Sequence, residues 1–154
     1  VRIRPVEPDE LPALAEALAA LPLMVRYRRD AAALRRALEA SRSRGETLLA
    51  AEDGDALRGV AWFLPAGTLA LGGYLKLIAV LPGAEGQGTG AALLRAFEAE
   101  TARASAHAFL LVSDFNDGAQ RFYEREGYVR VGPLPGLVLP DVAEVLYWKR
   151  LRSS

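Results

Sequence analysis

The sequence predicts an α/β fold, a single layered structure of helices on a mixed sheet. Apolar residues alternate, or run unbroken, over strand-length stretches, and between them leucines recur at helical spacing. The order of these segments reads strand, two helices, three strands, then strand, helix, strand, helix and two strands, which suits helices packed on a mixed sheet. The chain has 154 residues, with no repeat, low-complexity tract or linker in it, so residues 1–154 are expected to form one domain.

"VRIRPVE" alternates and reads as a first strand. "PDELPALAEALAAL" follows, with Pro8 or Asp9 opening a helix whose apolar stripe is Leu11, Leu14, Leu18 and Leu21. "PLMVRYRR" reads as a loop or broken turn. "DAAALRRALEASRSRG" is a second helix, with Asp30 as N-cap and Gly45 as its stop. "ETLLAAEDGDALRGVAWFL" is two strands about a tight "EDGD" hairpin. "PAGTLALGG" turns or pairs again, and "YLKLIAVLP" is a strong strand ending at Pro82. A helix "TGAALLRAFEAETARAS", a buried strand "AHAFLLVSDF" and a helix "NDGAQRFYEREG" come next, the last capped by Asn116 or Asp117 and stopped by Gly127. "YVRVG" and "EVLYWKRL" close the chain as strands on either side of the Pro-rich loop "PLPGLVLPDVA".

Composition excludes several functions. Lys plus Arg balances Asp plus Glu at 19 each, so no net basic field recruits nucleic acid. There is no cysteine and one histidine, His107. Disulfides, thiolate nucleophiles and Cys or His-pair metal sites are thereby excluded, and no metal is expected. His107 reads as a surface or helix-capping residue. "VRIRPVEPDE" lacks the apolar run of a signal peptide. Pro65 and four glycines break the longest apolar stretch, Gly59 to Leu75, which leaves it short of a membrane span. A soluble, cytoplasmic protein without membrane partners is expected.

The chemistry concentrates at residues 83–94, "GAEGQGTGAALL", where four glycines fall within eight positions ahead of an apolar helix. Walker A spacing is present from Gly83 to Thr89, but its lysine is missing. A dinucleotide fingerprint is satisfied by Gly86, Gly88 and Ala91, with Asp114 ending the next strand. Its position in the second half of a one-domain chain leaves little sequence for two mononucleotide halves.

A third reading covers more of the chain. "LIAVLPGAEGQGTGAALL" (Leu77 to Leu94) resembles the pyrophosphate-binding motif of the GNAT family of N-acetyltransferases, matching at Val80, Pro82, Gly86, Gly88, Gly90 and Leu93–Leu94. "NDGAQRFYEREGY" (Asn116 to Tyr128) resembles that family's second motif, matching at Asn116, Ala119, Phe122, Tyr123, Gly127 and Tyr128. The final segment is similar to the family's closing strand.

The resemblance implies a mixed, mostly antiparallel central sheet flanked by helices, with acetyl-CoA as co-substrate. It implies an acetyl group passed by direct attack to a primary amine, either a small molecule or a peptide N-terminus; homodimers are common in the family. The helix N-terminus would meet the pyrophosphate through backbone groups of Glu85, Gly86, Gln87, Gly88, Thr89, Gly90 and Ala91. The pantetheine arm would pair with the strand at Ile78, Ala79 and Val80. Tyr123 would protonate the leaving thiolate, a backbone N–H near Val80 would hold the oxyanion, and Asn116 would touch the cofactor arm or brace its corner.

Two positions depart from the family pattern. Glu85 stands where the family has Gln or Arg, and its charge opposes a pyrophosphate, so its side chain is expected to turn outward. Tyr74 stands where some members carry a glutamate base, and a phenol is a poor base near neutral pH. Asp114, Glu52 or a water chain remain as candidate bases, and these two departures keep open a non-catalytic acetyl-CoA- or nucleotide-binding module as the alternative function, with a dinucleotide-dependent oxidoreductase third. Arg26 to Arg29 read as a solvated loop or an anion site near the acceptor, and Trp62 and Phe63 as strand-face core residues.

Overall fold

The computed structural model describes residues 1–152. They form seven strands, β1 (Arg2–Pro5), β2 (Thr47–Asp53), β3 (Ala56–Thr68), β4 (Gly72–Val80), β5 (His107–Ser113), β6 (Val129–Pro135) and β7 (Ala143–Arg150). The helices are α1 (Leu11–Ala19), α2 (Pro22–Arg26), α3 (Ala31–Ala40), α4 (Thr89–Ala102) and α5 (Asp117–Arg125). The strands make one sheet in the order β1-β2-β3-β4-β5-β7-β6. β4 and β5 pair in parallel, while β1–β2, β5–β7 and β6–β7 pair antiparallel. The expected α/β class, with a mixed and mostly antiparallel sheet, is what the chain adopts. It divides into two compact units, Val1–Trp62 with Leu77–Ala96, and Phe63–Lys76 with the chain from Phe97 onward.

In the first unit, Leu14, Leu18, Leu34, Leu38, Val60 and Trp62 build the core. Each fully buried leucine contributes about 1.5–3 kcal/mol of transfer free energy. The α1 stripe puts Leu14 and Leu18 inward, with Leu11 and Leu21 at the margin. The entry to α1 differs from expectation. A 3-10 turn at Pro8–Glu10 precedes it, because the Glu10 carboxylate reaches back to the Glu7 N–H at 2.7 Å. Arg4 then ties this turn to β2 by bonding both Glu10 and Glu52.

The segment expected as a loop holds the short helix α2. Pro22 occupies its first turn, where a missing N–H costs nothing. Arg28, at φ 55°, ends it. Asp30 caps α3 as expected, accepting from Ala33 N at 2.8 Å.

In the second unit, β5 pairs β7 from His107↔Arg150 to Ser113↔Glu144. β4 joins β5 from Gly72↔His107 to Leu75↔Leu110 and runs on to Val80. The extra strand allowed for in "PAGTLALGG" does not form. β3 continues to Thr68, and the turn falls on Leu69 and Ala70, both at positive φ. The glycines that followed are strand residues chosen for closeness. A Cβ on Gly72 would lie 2.4 Å from the His107 carbonyl oxygen, and one on Gly73 would lie 2.5 Å from Thr101 Cγ2. β6 is longer than "YVRVG", continuing through a bulge at Arg130–Gly132 to Pro135. Prolines suit this strand, which lies at the edge of the sheet.

His107 is neither a surface nor a helix-capping residue. Its half-buried ring stacks against both Phe109 and Trp148, and its Nδ1 accepts from Trp148 Nε1 at 2.9 Å. Strand register, which the sequence alone does not specify, produces this diagonal contact.

Candidate active site

The predicted site residues fall into two clusters, one in each unit. The glycine loop and the end of β4 belong to the first unit. Ile78 and Val80 are half-buried and Ala79 is buried, and Leu81 N donates to Arg58 O at 2.8 Å, fixing the strand's exit. The loop then turns on three left-handed glycines, Gly83 (φ 90°), Gly86 (φ 73°) and Gly88 (φ 79°). Only glycine takes such angles without strain. Ala84 anchors the loop inward, whereas Glu85, Gly86, Gln87 and Gly88 are exposed. Gln87 Nε2 braces the turn on Gly83 O at 3.3 Å.

α4 starts at Thr89, and its first turn closes by Ala92 N donating to Gly88 O at 3.0 Å. Leu93 and Leu94 hold it to the core. Gly59 on β3 permits this approach, since a Cβ there would lie 2.6 Å from Ala79 O and 3.3 Å from Thr89 Cγ2. Sequence reading missed Gly59; its one signal was a glycine inside an otherwise apolar strand.

The Thr89 side chain points inward, 2% exposed, and its hydroxyl has no hydrogen-bond partner. A ligand at the helix start would therefore meet the Thr89 backbone. Glu85 is exposed, as expected, yet its carboxylate does not simply face water. It accepts from the Gly83 N–H at 2.7 Å, inside its own loop. An exposed turn of left-handed glycines leading into a helix N-terminus fits a pyrophosphate, and Glu85 is the feature that opposes one.

The second comprises Tyr74 on β4, Asp114 and Asn116 after β5 and Tyr123 on α5; the same unit also holds Glu144 on β7, which was not among the predicted residues. Asn116 is the N-cap of α5, its side-chain oxygen accepting from Ala119 N at 3.2 Å. Asp114 is exposed and engaged with β7 in both directions. Its N–H donates to Ala143 O at 2.9 Å, and its carboxylate accepts from Ala143 N at 3.0 Å. That pairing is a strand-end clasp.

Tyr123 is 9% exposed and packs edge-on against Phe122 and Tyr128. Burial, and then the Tyr74 phenol, push its pKa well above 10.0. It therefore holds its proton at neutral pH, as a proton donor must. Tyr74 is pushed up by burial and then by the charge of Glu144, which removes it as a base. Glu52 is also unsuited. Hydrogen bonds from Arg4 and Arg2 hold it below the usual carboxylate range. Sequence reading passed over Glu144, a buried carboxylate at 7% exposure; its signal was one acid inside an apolar final strand.

Comparison with known proteins places the chain. The Acetyltransferase (GNAT) domain signature matches residues 43–130. An aminoglycoside 6'-N-acetyltransferase complexed with coenzyme A superposes with a TM-score of 0.81 at 20% identity, over 100% of this chain and 99% of that one. The aminoglycoside 6'-N-acetyltransferase from Enterococcus faecium gives 0.77 at 20% identity, again over 100% and 99%. The protein yncA from Salmonella typhimurium, solved with its cofactor acetyl-CoA, gives 0.78 at 17% identity over 99% and 95%. At these identities the likeness is one of fold. No curated protein matches the chain.

Proposed function

This chain belongs to the GNAT family of acetyltransferases, and from that premise we propose that it transfers the acetyl group of acetyl-CoA to a primary amine by direct attack. The observation that carries the reading is Tyr123, a buried phenol whose proton is held at neutral pH, in a chain that also has the glycine turn at the start of α4. Both lie in the motifs that resemble the family. On this reading residues 1–154 act as one acetyltransferase domain.

Backbone groups from Glu85 to Ala91 hold the pyrophosphate. Ile78, Ala79 and Val80 offer strand edges to the amide arm, and a backbone N–H near Val80 takes the oxyanion. Tyr123 protonates the leaving thiolate. The desolvation that keeps the phenol neutral also makes a buried thiolate costly, so the two demands match. Asn116 fixes the start of α5, which carries Tyr123, and so acts as a positioning residue. Asp114, in its clasp with Ala143, reads better as a brace for β7 than as the base.

Calorimetric titration with acetyl-CoA, CoA, NAD and ATP, followed by mass spectrometry of amines incubated with acetyl-CoA, tests the proposal. Binding of acetyl-CoA and CoA, with amines gaining an acetyl group, is expected. Preference for NAD or ATP, or acetyl-CoA binding without transfer to any amine, would refute it.

A further inference from the structure

We infer that one end of the second unit docks on an anionic lipid membrane. Three segments meet there: the β3–β4 turn, the loop before β5 and the chain that leaves β7. Ser105 Oγ donates to Pro65 O at 3.4 Å, Leu151 N to Ala106 O at 2.7 Å and Arg152 Nε to Ser105 O at 3.3 Å. Strand register adds Gly72 beside His107, and His107 beside Arg150.

The turn supplies the apolar part of this surface. Its centre, Leu69 and Ala70, lies in the left-handed region at φ 52° and 59°. Side chains are disfavoured there, and hairpin turns of this kind usually carry Asn, Asp or Gly. Leu69 and Leu71 are nevertheless 68% and 59% exposed. A Cβ added to Gly67, just before them, would meet nothing within 4 Å, as suits a turn that projects into open space. The chain thus holds two leucines in water, one of them where a polar residue or glycine would sit with less strain. Backbone strain together with exposed apolar side chains marks a binding surface.

Arginines supply the charge. Arg103, Arg150 and Arg152 are all exposed. Arg150 lies over the Trp148 ring at 5.8 Å, and Arg152 spends one N–H on a backbone oxygen, so both keep their charge. Residues 65–73, 102–108 and 149–152 contain no acid. Among the described residues, the one ion pair these arginines make is that of Arg103 with Glu100, at 3.6 Å. The chain as a whole balances at 19 charges of each sign, so the positive excess is a property of this end.

Shape and charge together select the partner. A second copy of the chain would set arginines against arginines. A folded acidic protein would need a cleft to receive the projecting leucines. An anionic bilayer needs none: the leucines enter the acyl boundary while the guanidiniums stay among the headgroup phosphates, which they hold with paired N–H donors. Each cation near such a surface raises the binding constant roughly fivefold. The expectation of no membrane partner rested on the broken apolar stretch, and contact of this peripheral kind needs no spanning segment.

The test is co-sedimentation of the full chain with vesicles of phosphatidylcholine alone and of phosphatidylcholine and phosphatidylserine in equal parts. Wild type is expected to sediment with the anionic vesicles only, and less so as salt is raised. Leu69→Asn suits the left-handed turn, so its thermal midpoint should equal or exceed that of wild type; its binding is expected to weaken roughly fivefold or more. Arg150→Gln with Arg152→Gln is expected to weaken binding about 20-fold or more, two fivefold factors combined. Equal binding to both vesicle types, no binding to the anionic one, or an unchanged affinity in Leu69→Asn overturns the inference. Soluble poly-glutamate and sedimentation velocity without lipid cover the other partners. Binding of poly-glutamate but not of vesicles would assign the surface to an acidic protein, and a dimer that Leu69→Asn dissolves would assign it to a second copy; either result overturns the membrane. Should the double variant fail to fold, the lipid preference of wild type and the loss in Leu69→Asn decide.

Discussion

The Glu85 carboxylate accepts a hydrogen bond from the Gly83 N–H at 2.7 Å, so the glycine loop carries its own anion. Where the family resemblance places a Gln or Arg, this chain sets a negative charge that, on the proposed function, would share the loop with two phosphates. Glu85→Gln is therefore expected to tighten acetyl-CoA binding. For an exposed charge a gain of roughly three- to fivefold is reasonable, shrinking as salt screens it. Calorimetry at low and high ionic strength checks this; weaker binding by the variant would mean that Glu85 supports the loop rather than opposing the ligand.

Asn116 caps α5 through its side-chain oxygen. Asn116→Ala is expected to cost about 1 kcal/mol of stability, the ordinary value of an N-cap, read as a lower midpoint in urea. If acetyl-CoA affinity stays at the wild-type value, the residue acts by positioning α5; a parallel loss of affinity would place its side chain on the ligand.

Gly59 lets the end of β4 and the start of α4 close on β3. A methyl group there meets the Ala79 carbonyl oxygen at 2.6 Å, a backbone atom that cannot swing aside. Gly59→Ala is expected to destabilise the chain by about 1–3 kcal/mol through overpacking, whereas Gly54→Ala, in the open hairpin turn, costs mainly the strain of its φ of 61°. Equal thermal midpoints for wild type and Gly59→Ala would contradict the packing account.

Tyr123 and Tyr128 both have folded pKa values raised above 10.0, chiefly by burial and for Tyr128 next by Glu98. A raised folded value stabilises fully below the unfolded pKa and is lost as pH rises through the folded one. Stability should accordingly be flat on this account at neutral pH and fall above about pH 10. Absorbance at 295 nm should show these two phenols ionising together with loss of near-UV circular dichroism. Ionisation at pH 10 in a chain that stays folded would contradict their burial.

Much of this was legible beforehand because local chemistry and periodicity act over short spans. Asp30, Asn116 and Gly127 mark helix ends, the "EDGD" turn marks a hairpin, and the leucines of α1 recur at the helical repeat. Contacts set by strand register were not legible. Gly72 and Gly73 looked like turn residues, yet close approach to His107 and Thr101 makes them strand residues. His107 looked like a surface residue because its partner, Trp148, is distant in sequence. Within the site, the glycine loop and Tyr123 stand out by motif. Glu85 folding back on Gly83, and Glu144 acting on Tyr74, depend on side-chain direction, which spacing alone does not reveal.

In the proposed function Tyr123 is the proton donor of an acetyl transfer from acetyl-CoA. The measurement that bears on it most directly is the steady-state kcat of Tyr123→Phe with a turned-over amine, alongside acetyl-CoA affinity by calorimetry. Loss of a general acid predicts a fall in kcat of about 100-fold or more with affinity unchanged. A kcat equal to that of wild type, in a variant that binds acetyl-CoA normally, would contradict it.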